Sequence, residues 1–133
     1  MPQLNSLEDL ARYLFHRNEF NSTKELVKYP AFMPPANRRL SMFHISGLGE
    51  QEIWEIGERV ASQRSLPLLA RADIKVSFIN KTALIIDEDG TIQRHVNIVG
   101  WPDDSTEIRL KAIDLAEMAV LCMNEENRDS DRF

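Results

Sequence analysis

The segment KYPAFMPPANRR, residues 28–39, constrains the fold of this chain more than any other, because Pro30, Pro34 and Pro35 fall close together within it. Each proline fixes its own φ, removes a backbone donor and biases the preceding residue away from helix. No helix or central strand can run through such a stretch. Regular structure must lie before or after it, joined by an irregular arm that we place at residues 16–39. A segment of this kind is unusual in a compact domain and is expected to wrap the surface or to serve binding. Phe32 and Met33, set among the prolines, give the arm an apolar side.

Before the arm, SLEDLARYLF carries Leu7, Leu10, Ala11, Leu14 and Phe15 at helical spacing, with Ser6 as the cap. This predicts a short helix, although YLF could equally begin a strand. After the arm, RLSMFHIS reads as a strand closed by Gly47-Leu48-Gly49. EQEIWEIGERVASQR then reads as a helix with Ile53, Ile56, Gly57, Val60 and Ala61 on its inner stripe. Gly57 lowers helix propensity there and points to close packing. ADIKVSFIN and TALIID predict two further strands. EDGT, with Asp89-Gly90, predicts a hairpin turn, and TIQRHVNIVGW a third strand of a meander ended by Pro102. From Asp104, apolar residues at Ile108, Ala112, Leu115, Ala116, Ala119, Cys122 and Met123 predict one last helix.

Strands mixed with good helices define an α+β chain. The expected architecture has two layers: a mostly antiparallel sheet of three to four strands, with two or three helices packed on one face. Its core is a βαββα unit like an incomplete ferredoxin-type sandwich. At 133 residues the chain is expected to form a single domain over residues 1–123, with 124–133 a frayed polar tail.

An apolar fraction of 43% and a charged fraction of 28% belong to an ordinary globular protein that needs no disulfide or metal staple. The net charge of −5 is divided unevenly: residues 1–48 sum to +2 and residues 49–133 to −7. That balance disfavours nucleic acid as a partner, although Arg12, Arg17, Lys24, Lys28, Arg38 and Arg39 form a sparse basic region near Phe32. A single cysteine, Cys122, excludes an internal disulfide, makes a cysteine-based zinc site improbable and fits a reducing cytoplasm. The N-terminal residues lack the pattern of a signal peptide, and no run is long and apolar enough for a membrane span.

Chemistry centres on the histidines. His16 reads as a surface residue. His44 and His95 each open a histidine–x–polar pattern on a predicted strand, His44–Ser46 and His95–Asn97, with Arg94 alongside. Strand alternation puts each pair on one face, and adjacent strands would bring two imidazoles together as general base and general acid. HIS and HVN resemble the paired H-x-[ST]-x motifs of the 2H phosphoesterases, with Asn97 departing from the hydroxyl that the motif asks for. The resemblance implies a phosphoesterase or RNA-processing hydrolase, with His44, His95, Ser46, Asn97 and Arg94 as candidate residues. The alternative places both histidines on the solvent face of a one-sided sheet.

Other motifs are weaker. Gly47-Leu48-Gly49 precedes a helix, but Glu50 and Glu52 would repel an anion there. DEDG at 87–90 lacks the ligand spacing of a calcium loop. Asp103-Asp104 reads as helix capping, and Cys122 as a buried stripe residue. No metal or cofactor is expected.

The run PAFMPPANRRLSMFHISGLGEQEIWEIGERV, followed by RHVNIVGWP, resembles a group of small uncharacterised bacterial proteins with the pattern AFxPxxxxxLSxFxxxGLxxxEIWxxG and RHxNIxGWP. The resemblance implies a bacterial cytoplasmic origin and carries no activity with it. The leading expectation is a protein-interaction or accessory module without catalysis, with Phe32, Met33, Trp54 and Trp101 as contact anchors. Its partner would be another protein, a second copy of the chain included.

Overall fold

The computed structural model describes residues 5–88, 90 and 92–125. They form eight strands: β1 (Asp9–Leu14), β2 (Phe20–Asn21), β3 (Leu26–Val27), β4 (Leu40–His44), β5 (Ala70–Lys75), β6 (Ile85–Glu88), β7 (His95–Val99) and β8 (Val120–Met123). Three helices join them: α1 (Glu50–Arg64) after β4, α2 (Val76–Lys81) after β5 and α3 (Ser105–Met118) before β8. The fold is α+β. Six strands make one antiparallel sheet in the order β6-β7-β4-β1-β5-β8, and β2 with β3 forms a separate two-stranded hairpin. Asp89 and Thr91 of the expected turn, and residues 126–133 of the expected tail, lie outside the described residues. Asn124, placed in that tail by sequence, is buried, and its amide donates to the Leu68 carbonyl at 2.9 Å.

The sheet has more strands than the three or four expected, and its helices lie on both faces. Leu10, Leu14, Leu40, Met42, Ala72, Ile74, Val96 and Ile98 pack on one side with α3 and the arm. Ala11, Tyr13, Phe43 and Ile45 pack on the other with Ile53 and Ala61 of α1. This two-sided burial explains the misread first segment. A strand covered on both faces carries apolar residues at successive positions, so its sequence loses the alternation that marks a one-sided strand. DLARYL is such a strand, and it sits near the middle of the sheet rather than on a helical layer.

Two further segments differ from their sequence reading. VSFINK is helical rather than extended: Val76 and Ile79 are its buried pair, one turn apart, and the strand lies just before it in ARADIK. The last helix stops at Met118, because Ala119 is extended and Val120–Met123 pair with Ala70–Asp73 of β5. The helical spacing of Cys122 and Met123 is therefore coincidental, and a cross-strand ladder replaces it.

Close approach between layers is set at two points. An added Cβ on Gly57 would lie 2.6 Å from Tyr13 Cε1 and 2.8 Å from Leu68 Cδ2, so α1 rests on the sheet only because that position is bare. Arg71 of β5 is buried beneath the first turn of α1. Its guanidinium grips Glu50 with two bonds of 2.8 and 2.9 Å, holds Asp73 at 3.0 Å and stacks over the Trp54 ring at 4.7 Å. Hydrogen bonding to Arg71 lowers the Glu50 carboxyl below its usual range, whereas burial raises that of Asp73.

Gly57→Ala should cost about 1–3 kcal/mol through overpacking, more than the roughly 1 kcal/mol that alanine gains in a helix, and lower the urea midpoint. Arg71→Leu should cost about 3–5 kcal/mol, because it strands the Asp73 carboxylate in the interior. Glu50→Gln, at an exposed carboxylate, should move the same midpoint far less.

Candidate anion-binding cleft

The two-histidine site does not assemble. In the β4–β7 register Met42 lies opposite Val96 and Phe43 opposite His95. Met42 and Val96 belong to the core under α3, so His95 shares the α1 face with Phe43, its ring edge-on at 5.2 Å. His44 is the next residue of β4 and lies opposite Leu10, which faces the α3 core. Its Nε2 meets Glu8 Oε1 at 3.1 Å. The sheet separates the two imidazoles, which excludes a shared acid–base cleft and the 2H-type mechanism. Ser46 and Arg94 instead brace the end of β4. Ser46 Oγ accepts the Asp9 N–H at 2.7 Å, and Arg94, with φ at 66°, donates to the carbonyls of His44 and Ser46.

The expected contact anchors are divided as well. Phe32 is fully buried, and Trp101 is buried with its indole N–H donating to the Ile98 carbonyl at 2.9 Å. Both close the core and offer no surface to a partner. Trp54 is half-buried under Arg71 and borders a hollow with Glu55 and Glu58. Met33 is half-buried and lines the cleft described next. Among the acidic candidates, Asp103 pairs with Arg38 at 2.9 Å, Asp104 occupies the N-cap of α3 without a side-chain bond, and Glu52 turns back to the Gly49 N–H. Among the described residues no three His, Cys, Asp or Glu side chains group as metal ligands. No helix there is long and apolar enough to cross a membrane.

The polar residues converge elsewhere. β1 and β4 pair only at Leu10–His44 and Ala11–Phe43 and then part. Arg12 fills the gap: Nε donates to the Ala31 carbonyl of the arm and Nη1 to the Ser41 carbonyl of β4, each at 2.9 Å. Beside this split lies a cleft of about 420 Å³, open on one side. Arg12, Ser41, His95 and Asn97 of the sheet line it, together with Arg64 at the end of α1 and Met33, Pro35, Asn37 and Arg39 of the arm.

The electrostatics of this cleft are one-sided. Among the described residues three arginines line it and no carboxylate does. Arg39 pairs with Asp87 at 2.8 Å, an exposed contact of small energetic weight. Among the described residues neither Arg12 nor Arg64 has a carboxylate oxygen within the 4.0 Å of an ion pair. Arg64 lies over the Phe15 ring at 5.3 Å, which positions the cation without neutralising it. Burial brings the Arg12 pKa down to about 10, with Glu19 opposing that shift and Arg64 adding to it. Ser41 Oγ and His95 Nε2 share a hydrogen bond of 2.7 Å. Asn97 is only 8% exposed, and its side-chain amide has no hydrogen-bond partner among the described residues. A buried amide left unpaired costs about 1–3 kcal/mol.

Sequence reasoning named Asn97 and His95 but assigned them the wrong neighbour, and it passed over Ser41 and Arg64 as site residues. The usable signal was the positive balance of residues 1–48, since the arm and the first strands supply Arg12, Asn37, Arg39 and Ser41. No protein-family model, no curated protein and no solved structure matches this chain. The chain is an α+β protein with a cleft lined by Arg12, Arg39 and Arg64 at a split between two sheet strands.

Cys122 lies apart from the cleft, half-buried on β8, with its thiol 3.6 Å from Asp73 Oδ2. Burial, helped by the Asp73 carboxylate, pushes its pKa up to about 11. The native thiol should stay protonated through neutral pH, so iodoacetamide labelling should accelerate only as pH approaches that value. The unfolded chain should accelerate near the ordinary thiol pKa of about 8.5, and identical pH profiles for the two states would contradict the assignment.

Proposed function

We propose that the protein is a non-catalytic binding module that receives a phosphoryl group carried by a segment of a partner protein. The observation that carries this reading is the conjunction of two unneutralised arginines, Arg12 and Arg64, with the unpaired Asn97 amide in one cleft. A phosphoryl group brings about −1.5 to −2 charges and three strong acceptor oxygens, which matches two cations flanked by amide, hydroxyl and imidazole groups. A carboxylate, with two oxygens and one charge, would leave part of this donor set unused.

The cleft is open rather than enclosed, which suits a group presented on a larger body better than a small molecule buried on most sides. Among the described residues its lining has no Phe, Tyr or Trp on which a base could stack, and the chain is acidic overall, so a nucleic acid is disfavoured. The two segments that resemble the small bacterial proteins supply Ser41, His95 and Asn97 to this one place. In a bacterial cell such a module would act as an accessory to the partner that it recognises.

One observation favours a second, hydrolytic reading. The 2.7 Å bond between Ser41 Oγ and His95 Nε2 is the spacing of a hydroxyl nucleophile and its base.

Calorimetric titration with a phosphoserine peptide, its serine form and its glutamate form tests the proposal. The phosphorylated form should bind, the serine form should not, and Arg64→Gln at an exposed side chain should weaken binding about tenfold, a loss of roughly 1.4 kcal/mol. Absence of phosphopeptide binding, or equal affinity in the variant, would overturn it. Phosphorus NMR of the same mixture separates the two readings: intact phosphoserine supports binding alone, whereas release of inorganic phosphate that Ser41→Ala abolishes supports hydrolysis.

A further inference from the structure

We infer that Asn97 reads the main chain of the segment that carries the phosphoryl group, its carboxamide pairing with one backbone N–H and one backbone C=O of that segment. This rests on the phosphoryl-binding reading above and narrows the ligand to a phosphorylated peptide. Asn97 is the middle residue of a row across the sheet, opposite Ser41 of β4 on one side and Asp87 of β6 on the other. Side chains directly opposite one another share a face, so both neighbours are within reach of the amide. Each is engaged elsewhere: Ser41 Oγ with His95 Nε2 at 2.7 Å, and Asp87 with Arg39 at 2.8 Å. The carboxamide is therefore buried beside polar groups and bonded to none of them among the described residues.

The donor and acceptor balance of the cleft selects a peptide. A carboxamide carries N–H donors on one atom and an acceptor on the other. An ionised phosphoryl group offers acceptors only, and the guanidiniums of Arg12, Arg39 and Arg64 can supply a donor to each of its three oxygens. If Asn97 Nδ2 turned to the phosphoryl group, Oδ1 would stay buried without a donor, at the cost of an unpaired acceptor. A peptide unit presents one N–H and one C=O, which meets both ends of the carboxamide. Met33 and Pro35, in the same lining, give the apolar stems of such a segment a surface to rest on. An adenine edge can also take two bonds from a carboxamide, but among the described residues no aromatic ring of the lining supports a base.

Calorimetry with a phosphoserine peptide of alanine flanks, and with a set of its esters that each replace one backbone N–H by oxygen, tests this. One ester should bind about five- to tenfold more weakly than the parent, the loss of one hydrogen bond. Asn97→Ala should weaken the parent by a similar factor and that ester no further, whereas the losses from the ester and from Arg64→Gln should add. Inorganic phosphate and adenosine monophosphate should both bind more weakly than the parent. Esters that all bind as tightly as the parent, or that lose the same factor in Asn97→Ala as in the wild type, would overturn the inference and leave phosphoryl binding standing. The ester series on the unaltered protein decides the matter even where Asn97→Ala fails to fold. Adenosine monophosphate binding more tightly than the peptide would also overturn it, by assigning the carboxamide to a base. A peptide that binds in no form would overturn the phosphoryl reading itself, and this inference with it.

Discussion

A guanidinium held inside a sheet must find acceptors for its N–H groups, and the way Arg12 finds them sets the geometry on both sides of it. Its bond to the Ala31 carbonyl draws the arm down over the α3 face, where Phe32 completes the core. Its bond to the Ser41 carbonyl replaces ladder pairing where β1 and β4 diverge. Charge-assisted bonds of this kind are stronger than neutral ones, so the split in the sheet can be held without exposing backbone groups to an apolar interior. The remaining donors of the same group border the cleft. The position of the arm, the parting of the strands and the cationic character of the site thus share one residue.

Much of the fold was legible where one periodicity dominated. The helix at residues 50–64 and the strands ending in LSMFH and HVNIV stood out because a capped amphipathic helix and β-rich runs have few competing readings. The failures have a common cause. DLARYL is buried on both faces, VSFINK is too short for its period to be distinguished, and AVLCM continues a helical spacing by chance after α3 ends. In each case tertiary pairing outweighed local pattern. The two-layer expectation failed with them: once β1 and β5 enter the sheet, α1 and α3 can no longer share a face.

The site was legible only in fragments. His95 and Asn97 attracted notice as polar residues on an apolar strand, and the arm attracted it through its prolines. Nothing local linked them to Arg12 and Arg64, which join the cleft only after the register of β4 against β7 and the packing of α1 are set. Phe32 and Trp101 show the converse error. A large apolar residue at an irregular position can be a contact anchor or the last piece of the core, and only burial decides between them.

The placement of β1 also has a bearing on how the chain acquires its structure. The first strand in the sequence is an inner strand of the sheet, and its partners, Phe43–His44 and Ala70–Lys75, come much later in the chain. β8, the last strand, docks on β5 at an outer edge. A nascent chain therefore carries Leu10, Leu14 and Tyr13 without cover until more than half of it has been made. Topologies dominated by distant pairings close slowly, and transient exposure of such a segment invites misassociation. Arg12, in the middle of that segment, interrupts its apolar run with a charge during this interval, before it has any acceptor to hold.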